Sequence, residues 1–365
     1  MKLNDLVSLV SLKVAPLSLA ESWDKVGLQI GDLEHNVKKA LVCLDITPNV
    51  LKEAVLKKVD VVFSHHPLFF HPLHNLNKND PKYEVLKLAL QKNISLVSLH
   101  TNLDKTFESL SDDIAKRIGL HNIKPLILEK DHYSKFVVFV PLSHVEKVRN
   151  ALFSVGGGVI GNYENCSFNI EGTGTFKGGE ESKPYIGHKR TLEKTQEVRI
   201  EVRIPCYLEK EVLSQVRKAH PYEEVAYDIY PLRKLSETTG IGRIGDLKKK
   251  VSFLDFAKDI KKLWRLKSLR VVKSKSSVER VALCPGSGGS LWKEALASQA
   301  DVYITGDLKY HEALDGSLWG LNFIEIDHFT FEKEYVSYLA QKLKQISKIQ
   351  VYEYNQAENP FQVIN

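Results

Sequence analysis

Short apolar runs alternate with amphipathic segments along the first 130 residues, and few folds accept such an alternation. Each apolar run has the length of a buried strand, and the segments between the runs have helical periodicity. Strand–helix–strand units of this kind form mainly parallel sheets that helices cover. The sequence therefore predicts the first half of an α/β core at residues 1–130. Its strands are predicted at residues 40–44, 60–64 and 94–98, and its helices at residues 3–12, 48–58, 81–92 and 110–118.

The order of elements changes after Glu129. The following stretch predicts the order β-α-β-β-α-β, with a glycine-rich hairpin after the first helix, and this order is the ferredoxin-like signature. A length of about 100 residues is ordinary for a domain. We therefore predict a ferredoxin-like α+β insert at residues 131–233. Outside the hairpin, its strands are predicted at residues 136–141, 198–204 and 225–231, and its helices at residues 145–155 and 208–219.

The α/β pattern resumes from Gly240 and continues to the end of the chain. The 365 residues exceed the length at which one hydrophobic core stops growing, so more than one domain is expected. The sequence predicts a single α/β core, built on one sheet from residues 1–130 and 234–365 and interrupted by the insert. The later strands are predicted at residues 281–284, 302–305, 323–326 and 349–354, and a long helix at residues 331–345.

Composition limits the cellular compartments and the classes of partner that are expected for this chain. The four cysteines are scattered without a CxxC pair, which favours a reducing compartment and argues against a zinc ribbon. No stretch approaches the roughly 18 uncharged residues of a membrane span, and no cleavable signal is visible, so a cytoplasmic protein without membrane association is expected. Residues 248–275 hold 11 Lys/Arg against 2 Asp/Glu. We interpret them as a solvated helix face rather than a nucleic-acid surface, because no aromatic residues are interleaved at regular spacing.

A pair of histidines, His65 and His66, follows the apolar run VDVVF and precedes Pro67. In open α/β sheets, ligands collect beyond the carboxyl ends of the strands, where these histidines fall. Adjacent residues of a strand point to opposite faces, so both rings converge only if the strand ends there, as Pro67 favours. The alternative is a turn with one buried and one exposed histidine. His71 and His74 are competing ligands of lower rank, because they lie in a proline-punctuated loop.

Two further polar clusters follow predicted strands. His100 and Asp104 lie after ISLVS, although Asp104 could also close an Asx-turn or cap a helix. His328 and Glu332 lie after NFIEI and are four residues apart, so they project from the same face of the first turn of a helix. The alternative for Glu332 is an acidic helix start that the helix dipole favours.

Together these clusters supply three imidazoles, two carboxylates and no thiolate, a donor set that suits Zn, Fe, Mn, Ni or Co. Five ligands are too many for one tetrahedral catalytic zinc, but they suit two divalent ions about 3.5–4 Å apart. Water at such ions loses a proton near neutral pH, so hydrolytic chemistry is predicted. Glu332 is the predicted bridge between the ions, and Glu332 and His100 are the predicted catalytic residues. The predicted metal ligands are His65, His66, Asp104, His328 and Glu332.

Three other polar motifs are weaker candidates. The glycine-rich loop at residues 286–290 follows a strand as a phosphate loop would, but it lacks the lysine of a P-loop, so we interpret it as a tight turn that lines the site. Asp307 follows the run ADVYIT and is either a substrate contact or a helix start. His220 begins the HPYEE motif of the insert, which a polar turn explains more readily than a metal site.

Several motifs, in order along nearly the whole chain, resemble those of the Nif-three-like family (NGG-one-interacting-factor-three-like), which is widely named type 2 GTP cyclohydrolase I. The insert is similar to that of the longer bacterial members, which resembles the PII or CutA fold. Two positions depart from the family pattern, because Asp327 replaces a usual glycine and Lys25 replaces a usual asparagine. The matching motifs are ESWDKVGLQIGD at residues 21–32, SHHP at 64–67, HTNLD at 100–104, CPGSGGS at 284–290, YITGDLKYHEA at 303–313, and the pair His328 and Glu332.

The resemblance implies a site, an assembly and an activity. The metal ligands of the family map onto the five predicted ligands, and the family forms a hexameric toroid with metal sites that face an internal cavity. The family name implies GTP as substrate, with water attack at C8 of guanine, opening of the imidazole ring and release of formate. A two-metal hydrolase of another phosphoester or cyclic amide fits the same ligands. A non-enzymatic metal-binding regulatory or scaffold assembly is the competing interpretation.

Overall fold

The computed structural model describes residues 1–161 and 163–362, with all their side chains except those of residues 130–132 and 233–237. The chain forms two compact units, a core unit of Met1–Glu129 with Ser236–Asn365 and an inserted unit of Lys130–Leu235. None of the helices in the described ranges combines the length and apolar character needed to cross a bilayer. The helices are α1 (Leu3–Lys13), α2 (Pro48–Lys57), α3 (Pro81–Gln91), α4 (Thr101–Lys105), α5 (Leu110–Ile118), α6 (Val145–Ser154), α7 (Glu209–Ala219), α8 (Phe253–Leu263), α9 (Trp292–Ala297), α10 (Tyr310–Leu318), α11 (His328–Glu332) and α12 (Tyr335–Ile346). The strands are β1 (Gly27–Ile30), β2 (Lys39–Cys43), β3 (Val61–Ser64), β4 (Ser95–Ser98), β5 (His121–Pro141), β6 (Ser167–Lys177), β7 (Leu192–Pro205), β8 (Tyr227–Ser252), β9 (Arg270–Val272), β10 (Ser277–Cys284), β11 (Val302–Thr305), β12 (Asn322–Glu325) and β13 (Gln350–Glu353).

The first sheet of the core unit has the strand order β1-β4-β3-β2-β13. Strands β2, β3, β4 and β13 are parallel, and β1 is antiparallel to β4. The connecting helices α2 and α3 each begin with a proline that follows a capping side chain, Thr47 or Asp80. Every residue of β3 and β4 is buried, which explains why these strands are apolar runs without alternation. The predicted parallel α/β alternation is confirmed.

A second sheet in the core unit has the order β8-β10-β11-β12-β9. Strands β10, β11 and β12 are parallel, whereas β8 and β9 are antiparallel to their neighbours β10 and β12. The prediction of one core sheet is therefore wrong. A buried apolar run shows that a strand is covered on both faces, but it does not identify the strand that lies beside it.

Both sheets of the core unit share one hydrophobic core. Phe63 of β3, Leu283 of β10, Ile304 of β11 and Phe331 of α11 are fully buried in the same apolar cluster. Burial of side chains of this size contributes about 1.5–3 kcal/mol each. This packing holds together the segments that follow β3 and β12, where the polar candidates of the sequence lie.

The inserted unit has the strand order β6-β7-β5-β8 and carries helices α6 and α7. Strand β7 is antiparallel to both β5 and β6, and the core of the unit includes Val138, Val148, Ile200 and Val216. Its elements follow in the predicted order β-α-β-β-α-β, which is the order of a ferredoxin-like unit. The likeness to PII or CutA stays a prediction.

Some predicted elements differ from the structure. The helix predicted at residues 331–345 is two helices, and the first of them begins at His328 because the Asp327 carboxylate accepts a hydrogen bond from the Thr330 N–H at 3.0 Å. The strand predicted at residues 136–141 is part of the longer β5. Strands β1 and β9 were not predicted, because each is a short strand at a sheet edge with little hydrophobic pattern.

Arg243 of β8 is a fully buried arginine whose charge is matched within the core unit. Its Nε and Nη2 donate to the two carboxylate oxygens of Asp112, each at 2.7 Å. Its remaining N–H groups donate to backbone carbonyl oxygens, including that of Thr106 at 2.9 Å. Arg243 therefore fastens the segment between α4 and α5 to the second sheet.

We predict that Arg243→Met lowers the free energy of unfolding by about 3–5 kcal/mol, because Asp112 would lose the partner of a buried ion pair. The matched control is Lys258→Met, which breaks an exposed pair with Asp255 and is expected to cost less than about 1 kcal/mol. Urea unfolding followed by tryptophan fluorescence reports on the core unit, since all four tryptophans lie in it. Equal shifts of the two midpoints would contradict the role given to Arg243.

Candidate metal centre

The two adjacent histidines leave the first sheet together. Their backbone N–H groups donate to the carbonyl oxygens of Cys43 and Leu44, at 3.2 and 3.0 Å, just beyond the end of β3. The ring centroids of His65 and His66 lie 5.0 Å apart at an angle of 48°. Both rings therefore turn to the same side at the strand end, and the alternative of one buried and one exposed histidine does not hold.

His65 has one ring nitrogen bonded and one left over. Its Nδ1 donates to the carbonyl oxygen of Leu99 at 3.0 Å, so Nε2 carries the lone pair. That Nε2 is buried and has no hydrogen-bond partner among the described residues, and it lies 3.8 Å from both Asp104 Oδ1 and Glu332 Oε1. These distances are too long for a hydrogen bond. A buried unpartnered nitrogen between two carboxylates fits the place of a metal ligand.

The rings of His66 and His328 have matching hydrogen-bond partners, although the two residues follow strands of different sheets. The Nδ1 of His66 donates to Asp45 and the Nδ1 of His328 donates to Asp307, each at 2.7 Å. Their Nε2 atoms lie 3.4 Å apart, at 3.0 and 2.8 Å from Oε2 of Glu332. The ring nitrogens of both histidines thus converge on one carboxylate oxygen.

The same orientation recurs in all three histidines, since each Nδ1 is bonded to an oxygen and each Nε2 faces the centre. Histidines that bind metals almost always donate their other ring N–H to a carboxylate or a carbonyl, which fixes the ring and makes the ligand nitrogen more basic. The sequence did not identify Asp45 as such a partner, and it gave Asp307 a different role. Asp45 and Asp307 follow strands that pair with the strands leading to the site. This strand pairing was the signal that could have identified them.

Charge is balanced tightly around Glu332. Burial opposes ionisation of its carboxyl, but hydrogen bonds from His328 and His66 outweigh burial and hold the pKa of Glu332 well below its usual range. Burial likewise opposes a charged His66, yet Asp45 and Glu332 raise its pKa to about 10. The hydrogen bond to Glu332 raises the pKa of His328 to about 9. Protons on His66 and His328 thus offset the negative charge of Glu332, a role that a bound divalent cation would otherwise take. Binding of the cation would release these protons.

A glycine loop gives Glu332 its space. Gly286 has φ +69°, and a Cβ at this position would overlap Oε1 of Glu332 and lie 3.6 Å from Nε2 of His328. The loop at residues 286–290 therefore lines the site, as the sequence indicated.

Asp104 is held at the edge of the cluster. Its Oδ1 accepts a hydrogen bond from the hydroxyl of Tyr335, and the Tyr335 ring stacks on His65 with centroids 3.9 Å apart. Asp104 does not belong to either group of three side chains whose ligand atoms lie within 4.8 Å of one another. Those two groups are His66, His328 and Glu332, and His65, His66 and His100.

His100, a predicted catalytic residue, lies beside the metal ligands. Its Nδ1 is 3.1 Å from Oδ2 of Asp24, and its ring centroid is 5.2 Å from that of His65. Burial opposes ionisation of Asp24, but the nearby His100 ring and the hydrogen bonds from Thr101 lower the pKa of its carboxyl. Asp24 is therefore a charged, buried carboxylate that orients the His100 ring. The sequence did not identify it.

The remaining candidates lie apart from the site or have other partners. His71 and His74 are exposed and are in neither group of potential ligands. His220 uses both ring nitrogens, since Nε2 donates to the carbonyl oxygen of Phe139 and Nδ1 accepts from the N–H of Tyr222. Asp327 caps α11 and also accepts a hydrogen bond from Asn359 at 2.7 Å. Asp327 has φ −55°, so its backbone conformation does not require a glycine, and Lys25 is exposed on the surface.

The fold and the site together define an α/β protein with a cluster of histidine and glutamate side chains that could hold a metal ion. Residues 1–360 match the model of the family Duf34/NIF3 (NGG1p interacting factor 3), and the chain belongs to this family. The family resemblance predicted from the motifs is thereby confirmed.

Individual relatives cover nearly the whole chain. A Halalkalibacterium halodurans protein named GTP cyclohydrolase 1 type 2 homolog is 37% identical over 341 residues, which are 93% of this chain and 91% of that protein. A Bacillus subtilis protein of the same name is 38% identical over 317 residues, 86% of this chain and 85% of that protein. A crystal structure of a Bacillus cereus protein related to NIF3 is 35% identical with a TM-score of 0.79, and the match covers 100% of this chain and 99% of that chain.

We predict that Gly286→Ala loses bound metal, because the added methyl group would displace the Glu332 carboxylate. The matched control is Gly119→Ala, since Gly119 also has positive φ but has open space where a Cβ would lie. Both variants are expected to lose about 1–2 kcal/mol of stability from the left-handed backbone, measured by thermal unfolding. Elemental analysis after dialysis should find metal only in the control. Equal metal content in the two variants would contradict the position given to Glu332.

We also predict that Asp45→Ala weakens metal binding by about 10- to 100-fold, because the His66 ring loses the partner that orients it. Asp315→Ala removes an exposed carboxylate on α10 and is expected to leave binding unchanged. Competition with a chelator of known affinity measures both variants. An unchanged dissociation constant for Asp45→Ala would show that this carboxylate does not orient a ligand.

Proposed function

We propose that this chain is a metal-dependent hydrolase with two divalent ions, of Zn, Fe, Mn, Ni or Co, held by His65, His66, Asp104, His328 and Glu332. The observation that carries the proposal is the position of Glu332. One of its oxygens lies 3.8 Å from the free Nε2 of His65, and the other lies within 3.0 Å of the Nε2 atoms of His66 and His328. Such a carboxylate suits a bridge between two cations.

Each ligand has a distinct task in this arrangement. His66 and His328 present two neighbouring nitrogens to one oxygen of Glu332, while His65 and Asp104 face its other side. Divalent ions at these donors would supply Lewis-acid polarisation of the substrate and activation of water near neutral pH. The glycine loop leaves room for the Glu332 carboxylate, and the stacked Tyr335 ring covers His65.

His100 is assigned the proton-transfer step. Asp24 faces its Nδ1 and favours a proton on that nitrogen, so Nε2 is the atom that would take up or release the transferred proton. The ring lies 5.6 Å from that of His66, centroid to centroid, which places it next to the ligands. A buried carboxylate behind an imidazole stabilises the charged ring that forms when the proton is taken up.

A groove beside the ligands supports a phosphorylated small-molecule substrate. It has a volume of about 1680 Å³, and His66 and His328 line it together with Arg265, Lys267 and Lys333. These three cations are exposed, and no ion pair joins them to another residue in the described ranges. The groove is also lined by the carboxylates of Asp45, Glu53, Asp307, Glu325, Asp327 and Glu358. Unpaired cations beside a metal site suit recognition of phosphate.

GTP is the proposed substrate, because relatives more than 35% identical are named GTP cyclohydrolase 1 type 2 homologs. One water would attack C8 of guanine and open the imidazole ring to a formamide, and a second water would hydrolyse the formamide and release formate. The triphosphate would bind at the cationic wall formed by Arg265, Lys267 and Lys333. We propose a homohexamer from the family resemblance, which light scattering measures directly.

We expect two equivalents of metal per chain in elemental analysis, and formate release from GTP by the reconstituted protein. His66→Ala should abolish that release, because it removes a ligand nitrogen next to Glu332. His71→Ala is the matched control, since it removes a nearby exposed imidazole outside both ligand groups. Metal binding without hydrolysis of GTP, another phosphoester or a cyclic amide would favour a regulatory metal-binding assembly instead. One ion or none per chain would overturn the two-ion site.

A further inference from the structure

Two exposed aromatic side chains, Trp23 and Phe70, contact the ring of His100. Trp23 is 58% exposed and Phe70 is 49% exposed, although each approaches an imidazole of the site. The Trp23 and His100 centroids are 6.1 Å apart at 72°, and the Phe70 and His100 centroids are 5.5 Å apart at 89°. Single exposed apolar residues are common on protein surfaces, but two that meet the same functional histidine are not explained by chance exposure.

The chain around Trp23 keeps its ring outside the core. The next residue, Asp24, is buried, and its carboxylate accepts hydrogen bonds from the N–H and hydroxyl groups of Thr101. The backbone N–H of Asp24 also donates to the carbonyl oxygen of Glu21 at 2.9 Å. Because this turn is anchored directly after Trp23, the indole remains at the edge of the site next to His100.

Phe70 lies on a segment that can adjust to a ligand. Its ring is also 6.3 Å from that of His66, centroid to centroid, so it reaches both His100 and a proposed metal ligand. In the fully described stretch of residues 68–76, no backbone N–H donates a hydrogen bond. Movement of the Phe70 ring therefore breaks no backbone hydrogen bond.

Trp23 and Phe70 each contact the His100 ring separately. Both rings contact His100 edge to face, and no ring contact joins Trp23 to Phe70 in the described part of the chain. Two partly exposed aromatic rings beside polar groups offer stacking to a flat partner. Aromatic faces of this kind bind nucleobases without hydrogen-bond readout, because every base has a π-face.

We propose that Trp23 and Phe70 form an aromatic rim that binds the planar nitrogen heteroaromatic ring of the substrate and holds it over His100. The role of the rim in turnover rests on the proposed hydrolase function, whereas its binding of a flat ring does not. The rim determines specificity by shape and π-character, and the proposed metal ligands His65 and His66 lie beside His100.

The test uses guanosine, which has the flat ring but no phosphate for the cationic wall of the groove. The metal-loaded Trp319→Phe variant is the reference, because Trp264 and Trp292 are buried and Trp319 is the other exposed tryptophan, at 72%. In this variant, guanosine is expected to quench tryptophan fluorescence saturably, and ribose is not.

Calorimetry then compares Trp23→Leu and Phe70→Leu, which keep apolar bulk but remove the π-faces. Each is expected to raise the guanosine dissociation constant by about 5- to 150-fold with unchanged metal content. The matched control, Leu318→Ala on α10, removes another exposed apolar side chain, 77% exposed, and should change neither quantity. Unchanged guanosine binding in both rim variants, or equal competition by ribose, would overturn the rim.

The outcome also separates the rim from the proposed function. If guanosine binding depends on Trp23 but no formate is released from GTP, the rim stands and the hydrolase assignment fails. If formate is released and the KM for GTP is the same in Trp23→Leu as in the reference, the rim is overturned and the hydrolase assignment stands.

Discussion

A buried carboxylate has to be neutralised, and hydrogen bonds from His66 and His328 meet that requirement for Glu332. Its two oxygens face His65 on one side and His66 and His328 on the other. A buried charge that loses its partners costs several kcal/mol, so the histidines and the carboxylate depend on each other. The shared hydrophobic core of the two sheets sets their separation, because Phe63 precedes the histidine pair and Phe331 precedes Glu332 within it.

The mutual dependence of Glu332 and the histidines explains the positions of the neighbouring side chains. Asp45 and Asp307 occupy the outer nitrogens of His66 and His328, which leaves only the inner nitrogens for Glu332 or a cation. Gly286 leaves space for the Glu332 carboxylate, and Tyr335 covers His65 while holding Asp104. The donors are therefore set in place before any ion arrives, which lowers the cost of ordering them on binding.

Local pattern in the sequence predicted the parts of this site that depend on strand ends. Pro67 after an apolar run predicted the convergence of His65 and His66, and the spacing of His328 and Glu332 predicted their common helix face. Such a local pattern does not determine which distant strands pair. A strand that is buried on both faces is apolar whichever strand lies beside it.

For the same reason the sequence did not identify the second sheet or the carboxylates behind the histidines. Asp45 follows β2 and Asp307 follows β11, and only the pairing of those strands with β3 and β12 brings them to the rings. Asp327 is a related case, since its role as a helix cap depends on α11 starting at the next residue.

Anomalous diffraction from crystals of the metal-loaded protein tests the central claim most directly. The account predicts two peaks per chain, one within ligand distance of His65 Nε2 and the other within ligand distance of His66 Nε2 and His328 Nε2, with Glu332 in contact with both. A single peak, or two peaks of which neither touches Glu332, would contradict it.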